Sequence, residues 1–196
     1  MIIAKIGRYA FQEFVDRVKD FHGFAAPGVV LGGVMVDAAL QKLPPRILYD
    51  ALCETDKCLP DAVQLLTPCT IGNGWLKIKS WGRFALTLYD KQSGEGLRVR
   101  VHPETVDHWP EIKAWYYKLR PKEETDPERL LESIAGGGYD LCQVSEIRVH
   151  PNWLRREARG QRVLCPGCAE AFPNNGPGLC PACRGEARRV YAENNR

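Results

Sequence analysis

The sequence predicts an α+β protein that carries a small metal-binding module at its C-terminal end. Two observations indicate the main fold. A run of three predicted strands follows helical segments instead of alternating with them, and 196 residues with 44% hydrophobic content suit one domain with an appendage. A third observation is a group of four closely spaced cysteines near the C-terminus. We therefore expect an α+β domain with a mixed or antiparallel sheet over residues 1–150, and a basic linker with a zinc ribbon over residues 151–196.

Two helices open the chain. Apolar residues recur at steps of three and four between positions 9 and 21, which predicts an amphipathic helix that stops at His22. A second, largely apolar helix surrounds the pair Gly32-Gly33 and ends before two prolines. Because glycine has no side chain, this pair predicts that another element packs closely against the second helix.

Strands and shorter helices follow. Residues 46–53 are apolar enough for a strand, and Pro60 suits the first turn of a short helix. Three further strands, separated by turns that contain glycine, are predicted at 75–80, 83–90 and 96–102. The remaining predicted elements are a helix from Pro110, a helix from Pro127 and a strand over about 142–149.

Charge and hydropathy exclude several classes of protein. The formal net charge of +3 is too small to indicate a nucleic-acid partner by itself. It is unevenly distributed, because nine basic residues stand against four acidic ones from Arg148 to the end. The N-terminus lacks the apolar region of a signal peptide, and the uncharged stretch at 24–36 is shorter than the ~20 residues of a membrane span. We expect a cytoplasmic protein with no membrane partner.

The four C-terminal cysteines have the spacing of a metal site. Cys165 and Cys168, and then Cys180 and Cys183, form two C-x2-C pairs separated by eleven residues. Such pairs bind one tetrahedral ion, and zinc is the metal we expect. Four protein ligands leave no position for water, which predicts a structural site. An iron or iron–sulfur centre could use the same thiolates, whereas disulfides are disfavoured in the cytoplasm. A zinc deaminase would need an H-x-E motif, and none of the four histidines provides one.

Three other blocks of sequence stand out. They are FHGFAAPG at 21–28, CLPDAVQ from Cys58 and CTIG from Cys69. In this order, and followed by a four-cysteine finger, they resemble the FmdE (FwdE) family of formylmethanofuran dehydrogenase subunits. The resemblance covers nearly the whole chain. The chain departs from the family pattern at Phe24 and Ala26, where the family has its second histidine and its cysteine.

The resemblance implies a fold, an assembly and a setting. Family members are expected to have a helix-flanked mixed sheet like that of the glyceraldehyde-3-phosphate dehydrogenase catalytic domain, and to pair as homodimers. The family's complex reduces CO₂ onto methanofuran, and its molybdenum or tungsten pterin and iron–sulfur subunits carry the redox chemistry. This chain has neither a ferredoxin cysteine pattern nor the length for pterin-binding domains. We therefore expect an accessory to a molybdo- or tungsto-enzyme that does not catalyse the reaction by itself.

A second metal site is predicted in the main domain. His22, Cys58 and Cys69 are expected on loop edges, where soft and borderline ligands could bind another transition metal ion with an open position. Free amides at the start of the short helix would lower the pKa of Cys58. The alternative is that these cysteines fill space in the core, as we expect for Cys53 and Cys142.

The sequence thus predicts a zinc-binding accessory protein, with two alternatives. One is a regulator that binds nucleic acid or protein through the finger, because arginines surround the finger at positions 155, 156, 159, 162, 188 and 189. Aromatic residues that could stack on bases are sparse there, which counts against nucleic acid. The other alternative is a small metalloenzyme that uses the second metal at His22, Cys58 and Cys69.

Overall fold

The structure of the protein is a computed structural model that describes residues 2–45, 47–155, 160–173 and 178–186. The chain divides into two compact units, Met1–Leu154 and Arg155–Arg196. The first unit contains a central sheet with helices, and the second contains a small hairpin and a helical turn. Among the described helices, none combines the length and the apolar composition that crossing a membrane requires.

Helices and strands are distributed along the chain as follows. The helices of the first unit are α1 (Phe11–His22), α2 (Pro27–Leu40), α3 (Leu59–Leu66), α4 (Pro103–Asp107), α5 (Pro110–Tyr116), α6 (Pro127–Gly137) and α7 (Pro151–Leu154), with 3₁₀ turns at Lys122–Glu124 and Gly138–Leu141. Its strands are β1 (Lys5–Ile6), β2 (Tyr9–Ala10), β3 (Tyr49–Cys53), β4 (Leu76–Ile78), β5 (Ala85–Asp90), β6 (Glu95–Val101) and β7 (Cys142–Arg148). The second unit contains β8 (Arg162–Leu164), β9 (Ala171–Pro173) and a helical turn at Ala182–Glu186.

Five strands form the central sheet in the order β4-β3-β5-β6-β7. β3 and β4 are parallel, and the other neighbours are antiparallel. The register pairs Ala51 with Leu88 and Leu86 with Val99, so these side chains point to one face of the sheet. All four are buried in a core that also includes α2. The predicted α+β fold with a mixed sheet is confirmed.

Helix α2 lies at the centre of this core, and the twelve residues Gly28–Ala39 are all buried. Glycines in α2 let its neighbours approach closely. A Cβ atom at Gly33 would lie 2.3 Å from the ring of Phe14 in α1. A Cβ atom at Gly32 would lie 2.8 Å from Cβ of Ala62 in α3. Because interiors are close-packed, a larger residue at Gly32 or Gly33 would prevent α1 and α3 from packing as closely against α2 as they do.

The helix boundaries follow local signals in the sequence. Prolines occupy the first turn of α2, α5 and α6. Backbone N–H groups in the first turn form no hydrogen bond within the helix, so proline, which lacks this group, costs nothing there. The Asp126 carboxylate accepts hydrogen bonds from the N–H groups of Glu128 and Arg129 and caps α6. Helix α1 ends at Gly23, whose φ of 95° lies in the left-handed region that favours glycine.

The opposite face of the sheet carries a buried ion-pair network. Glu54 is 2% exposed and accepts hydrogen bonds from Arg98 at 2.6 and 2.8 Å and from Arg83 at 2.7 Å. Burial alone would raise the pKa of Glu54, but the hydrogen bonds and charges of the two arginines lower it below its ordinary value of 4.5. The ionised Glu54 carboxylate therefore stabilises the folded state above pH 4.5, and this stabilisation is lost as the pH falls through the lowered pKa.

The structure differs from the sequence prediction before α1 and at β3. A short hairpin, β1 and β2, turns at Gly7 with a φ of 58° and buries Ile6 and Tyr9. Strands of two residues are too short to produce an alternating pattern, so the sequence predicted only the helix that follows them. The strand predicted from residue 46 begins at Tyr49.

Replacing Gly33 by alanine should destabilise the protein. The added methyl group would overlap the ring of Phe14, which is fully buried, and overpacking of this kind costs about 1–3 kcal/mol. Urea unfolding followed by circular dichroism should show the lower free energy of unfolding. The control is Gly72→Ala in an exposed loop, where a Cβ atom meets nothing closer than 4.0 Å and the change should stay within about 0.5 kcal/mol. Equal stability of the two variants would contradict the role of α2.

Candidate metal centre

Four cysteine thiols gather in the second unit. The sulfur atoms of Cys165, Cys168, Cys180 and Cys183 all lie within 4.8 Å of one another. Cys165 and Cys180 are buried, whereas the other two are exposed. Four thiolates at such separations can surround one tetrahedral ion. The cluster that the spacing predicted is therefore present and could hold a metal ion.

Two different local structures present the two pairs. The first pair lies in the turn between β8 and β9, and the second lies at the start of the helical turn Ala182–Glu186. The N–H of Cys165 donates to the carbonyl of Glu170, which closes the hairpin end. A Cβ atom at Gly167 would lie 2.8 Å from the end of the Leu179 side chain and 3.2 Å from Sγ of Cys183, so the turn packs closely around the sulfurs.

Backbone amides point at the sulfur atoms. The N–H groups of Cys180 and Gly167 donate to Sγ of Cys165 at 3.3 and 3.4 Å, and the N–H of Cys183 donates to Sγ of Cys180 at 3.5 Å. The bond from Cys180 is the largest cause that lowers the pKa of Cys165 to about 6. Hydrogen bonds with Cys168 and Cys180 raise the pKa of Cys183 to about 12. A bound cation would offset the negative charge of the first thiolates and let the other thiols of the cluster ionise as well.

In the first unit, the packing of α1 against α3 brings His22 to Asp61. His22 is the last residue of α1, and its Nδ1 lies 2.6 Å from Oδ2 of Asp61 in the first turn of α3. The ring of Phe24 is 5.0 Å from the imidazole, centroid to centroid. Asp61 belongs to the CLPDAVQ block of the family resemblance, but the sequence did not predict it as a ligand of the second metal. The available signal was its position three residues after Cys58, a spacing that places two residues on one helix face.

Cys58 precedes α3 in a strained turn. Its φ of 54° and ψ of −53° are rare for a residue other than glycine, and the N–H of Leu59 donates to the carbonyl of Lys57 at 2.5 Å, as in a γ-turn. The thiol packs onto the start of α2, where a Cβ atom at Gly28 would lie 2.9 Å from Sγ. Cys58 nevertheless stays partly exposed.

The Cys58 thiol is not activated. Burial, followed by the charge of Asp61, raises its pKa and outweighs the nearby charges of Lys122 and Lys57. The expectation that the start of α3 lowers this pKa is therefore wrong. The reason is that the thiol is partly buried, and the helix turn that offers free amides also carries the Asp61 carboxylate.

Cys69 lies deeper in the domain than the other two predicted ligands. It is fully buried, and its thiol donates to the carbonyl of Tyr49 at a distance of 3.6 Å. Burial raises the pKa of Cys69 to about 11 and that of Cys53 to about 12. Both thiols belong to the hydrophobic core, which is the space-filling role that the sequence indicated for Cys53.

The structure thus brings together one of the two predicted sets of ligands. The four C-terminal cysteines form a candidate metal group. Within the described residues, His22, Cys58 and Cys69 do not form a second such group. A metal at those three residues stays a prediction. Four of the arginines expected around the finger lie outside the described residues, namely Arg156, Arg159, Arg188 and Arg189.

Comparison with known proteins identifies the family. The family model described as "FmdE, Molybdenum formylmethanofuran dehydrogenase operon" matches residues 21–149. The chain belongs to the FmdE family. The crystal structure of a tungsten formylmethanofuran dehydrogenase FmdE-like protein from Syntrophus aciditrophicus is 46% identical, with a TM-score of 0.89 over 98% of this chain and 100% of that chain. The predicted resemblance is confirmed.

A curated relative is longer than this chain. It is a "Probable S-adenosyl-L-methionine-binding protein" from Archaeoglobus fulgidus, 31% identical over 193 residues, which cover 86% of this chain and 52% of the relative. The chain therefore spans about half the length of that relative.

Phe24 and Ala26 stand where the sequence resemblance led us to expect a histidine and a cysteine. Ala26 is 2% exposed at the start of α2, and Phe24 is 51% exposed beside His22. Neither a methyl group nor a phenyl ring offers an atom that can bind a metal ion.

The raised pKa of Cys58 predicts slow alkylation near neutral pH. Iodoacetamide reacts with the thiolate, so the labelling rate of Cys58 should lie below that of a cysteine in an unstructured peptide and should keep rising beyond pH 9. Peptide mass spectrometry resolves Cys58 from the other cysteines. Asp61→Asn removes the neighbouring charge and should increase the rate at pH 8, whereas Asp56→Asn should leave it unchanged. A rate that levels off below pH 8 would contradict this account.

Proposed function

We propose that this protein is a zinc-binding accessory protein related to the FmdE subunit of formylmethanofuran dehydrogenase, and that it is not catalytic by itself. The observation that carries the proposal is the four-cysteine cluster in a member of the FmdE family. Zinc is the usual ion in sites of four thiolates. With four protein ligands it has no position left for water or substrate, so its proposed role is structural.

The metal is proposed to supply most of the folding free energy of the second unit. Of the hydrophobic residues described in that unit, only Cys165 and Cys180 are buried, and Leu164 is 70% exposed. The described part of that unit therefore has no apolar core that could offset the conformational entropy of folding. Metal binding to Cys165, Cys168, Cys180 and Cys183 can do so, because binding and folding are then one process.

The family supports a role beside a larger enzyme. Its description refers to a molybdenum formylmethanofuran dehydrogenase operon, and the solved relative is similar to the FmdE subunit of a tungsten enzyme. We propose that the protein acts in the cytoplasm as a homodimer with catalytic subunits of such a molybdo- or tungsto-enzyme. Those subunits would carry the redox centres, for which this chain has no cysteine pattern.

A metalloenzyme built on a second metal has less support. His22 is engaged by Asp61, and Cys69 donates to a backbone carbonyl inside the core. Phe24 and Ala26 add no ligand atoms. We therefore derive no catalytic step from a second metal.

Metal analysis tests the zinc proposal. Protein purified without a metal-affinity tag should contain about one zinc ion per chain by inductively coupled plasma mass spectrometry. Cys180→Ser should lose most of it, because three thiolates hold zinc less tightly than four, and the control Cys142→Ser in β7 should keep it. Iron in place of zinc, or full zinc in Cys180→Ser, would contradict the proposal. A second metal that disappears in Cys58→Ser would instead revive the metalloenzyme alternative.

Light scattering on a size-exclusion column tests the accessory role. The protein alone should have twice the mass of one chain, and it should co-elute with purified catalytic subunits of a formylmethanofuran dehydrogenase. Without those subunits it should show no formylmethanofuran dehydrogenase activity. Catalysis by the isolated protein would overturn the proposal, and so would failure to bind the catalytic subunits of both the molybdenum and the tungsten enzymes.

A further inference from the structure

One edge of the central sheet carries a stripe of indole rings and cations. Strand β4 lies at this edge, and every second residue through it and the segment after it is aromatic or basic. We call this set the aromatic–basic stripe; its members are Trp75, Lys77, Lys79, Trp81 and Arg83. Lys77 pairs with Leu52 in the register of β3 and β4, which places it on the sheet face opposite the core. Lys79 contacts the same Trp153 ring as Lys77, and Glu54, which follows β3, binds Arg83. These contacts gather the cations on one surface of the first unit.

Each cation of this surface lies over an indole ring. The Nζ atoms of Lys77 and Lys79 are 5.1 and 5.2 Å from the ring centroid of Trp153 in α7. Cζ of Arg83 is 4.9 Å from the ring centroid of Trp81. Nζ of Lys91, on the strand-end turn beyond β5, is 3.1 Å from the ring centroid of Trp75. Such contacts hold the positive charges at defined positions.

The exposed part of the stripe lies around Trp81. This ring is 56% exposed and is not part of the hydrophobic core, and the Arg83 side chain is 58% exposed. Lys79 is also exposed. The exposed indole therefore presents its ring to a ligand beside a guanidinium and an ammonium group.

The acidic residues that pair with these cations are buried. Glu54 is 2% exposed and is bonded to Arg83 and Arg98. Asp50 is 5% exposed and pairs with Lys91. Both carboxylates thus lie beneath the cations that they hold, and the outer layer of the stripe is positive and aromatic.

We propose that the aromatic–basic stripe binds single-stranded nucleic acid. Unpaired bases present flat faces that stack on exposed aromatic rings, and the phosphates between them bind cations. Trp81 would stack on a base, and Lys79 and Arg83 would contact phosphates. An acidic peptide would use the cations but not the exposed indole, which is why the ring favours a nucleic acid. This function lies beyond the proposed role as an accessory protein and does not depend on it.

Fluorescence anisotropy tests the proposal. The probes are fluorescein-labelled oligouridylate and oligothymidylate of about twelve nucleotides, within the usual site sizes for single strands. The expected dissociation constant at low salt is on the order of 10⁻⁵ M, and two phosphate contacts should make log K fall with log salt at a slope of about −1.4. Trp81→Ala should weaken binding about 5- to 150-fold, the range measured for loss of one stacked base. Lys79→Glu should weaken binding and reduce the salt slope.

Matched controls separate this surface from general charge. Phe21→Ala and Lys19→Glu remove another exposed aromatic residue and another exposed lysine, both on α1, and should leave binding unchanged. Circular dichroism and urea unfolding would establish that each variant is folded. Binding that survives both Trp81→Ala and Lys79→Glu would overturn the proposal, as would no binding at low salt. Polyglutamate that binds as tightly, with the same loss in Trp81→Ala, would show an acidic protein partner and overturn it too.

Discussion

The close packing of α2 against its neighbours is the constraint on which the rest of the first unit depends. This helix is buried along almost its whole length, so it can be stabilised only by contacts on every side. Gly33 admits the ring of Phe14 from α1, and Gly32 admits Ala62 from α3. The sheet covers a further side with the apolar residues of β5 and β6. Because these contacts leave no spare volume, the positions of α1 and α3 are largely set by the shape of α2.

The geometry around His22 is a consequence of that packing. Once α1 and α3 lie against α2, the end of one and the start of the other meet, and His22 pairs with Asp61. The same approach presses the Cys58 thiol onto Gly28, in a backbone conformation that an isolated chain would avoid. The strained turn at Cys58 and the His22–Asp61 pair are thus two results of the same helix packing.

The two units depend on different forces. The first combines a large apolar core with buried ion pairs such as that of Glu54, whose charge two arginines offset. The described part of the second has almost no apolar interior, and its organising feature is a set of thiols with amides directed at them. Loss of a cation should therefore affect the second unit and leave the core of the first intact.

The sequence by itself determined the α+β class, the order of the main elements and the four metal-site cysteines, because periodicity and C-x2-C spacing act over a few residues. The residues of the stripe lay in two predicted strands, 75–80 and 83–90, and in the turn between them. The pairing of His22 with Asp61, the raised pKa of Cys58 and the stacking of Lys77 on Trp153 were decided by the tertiary structure alone. Each of these depends on residues more than 30 positions apart or on burial, and neither distance in space nor desolvation can be read from local sequence.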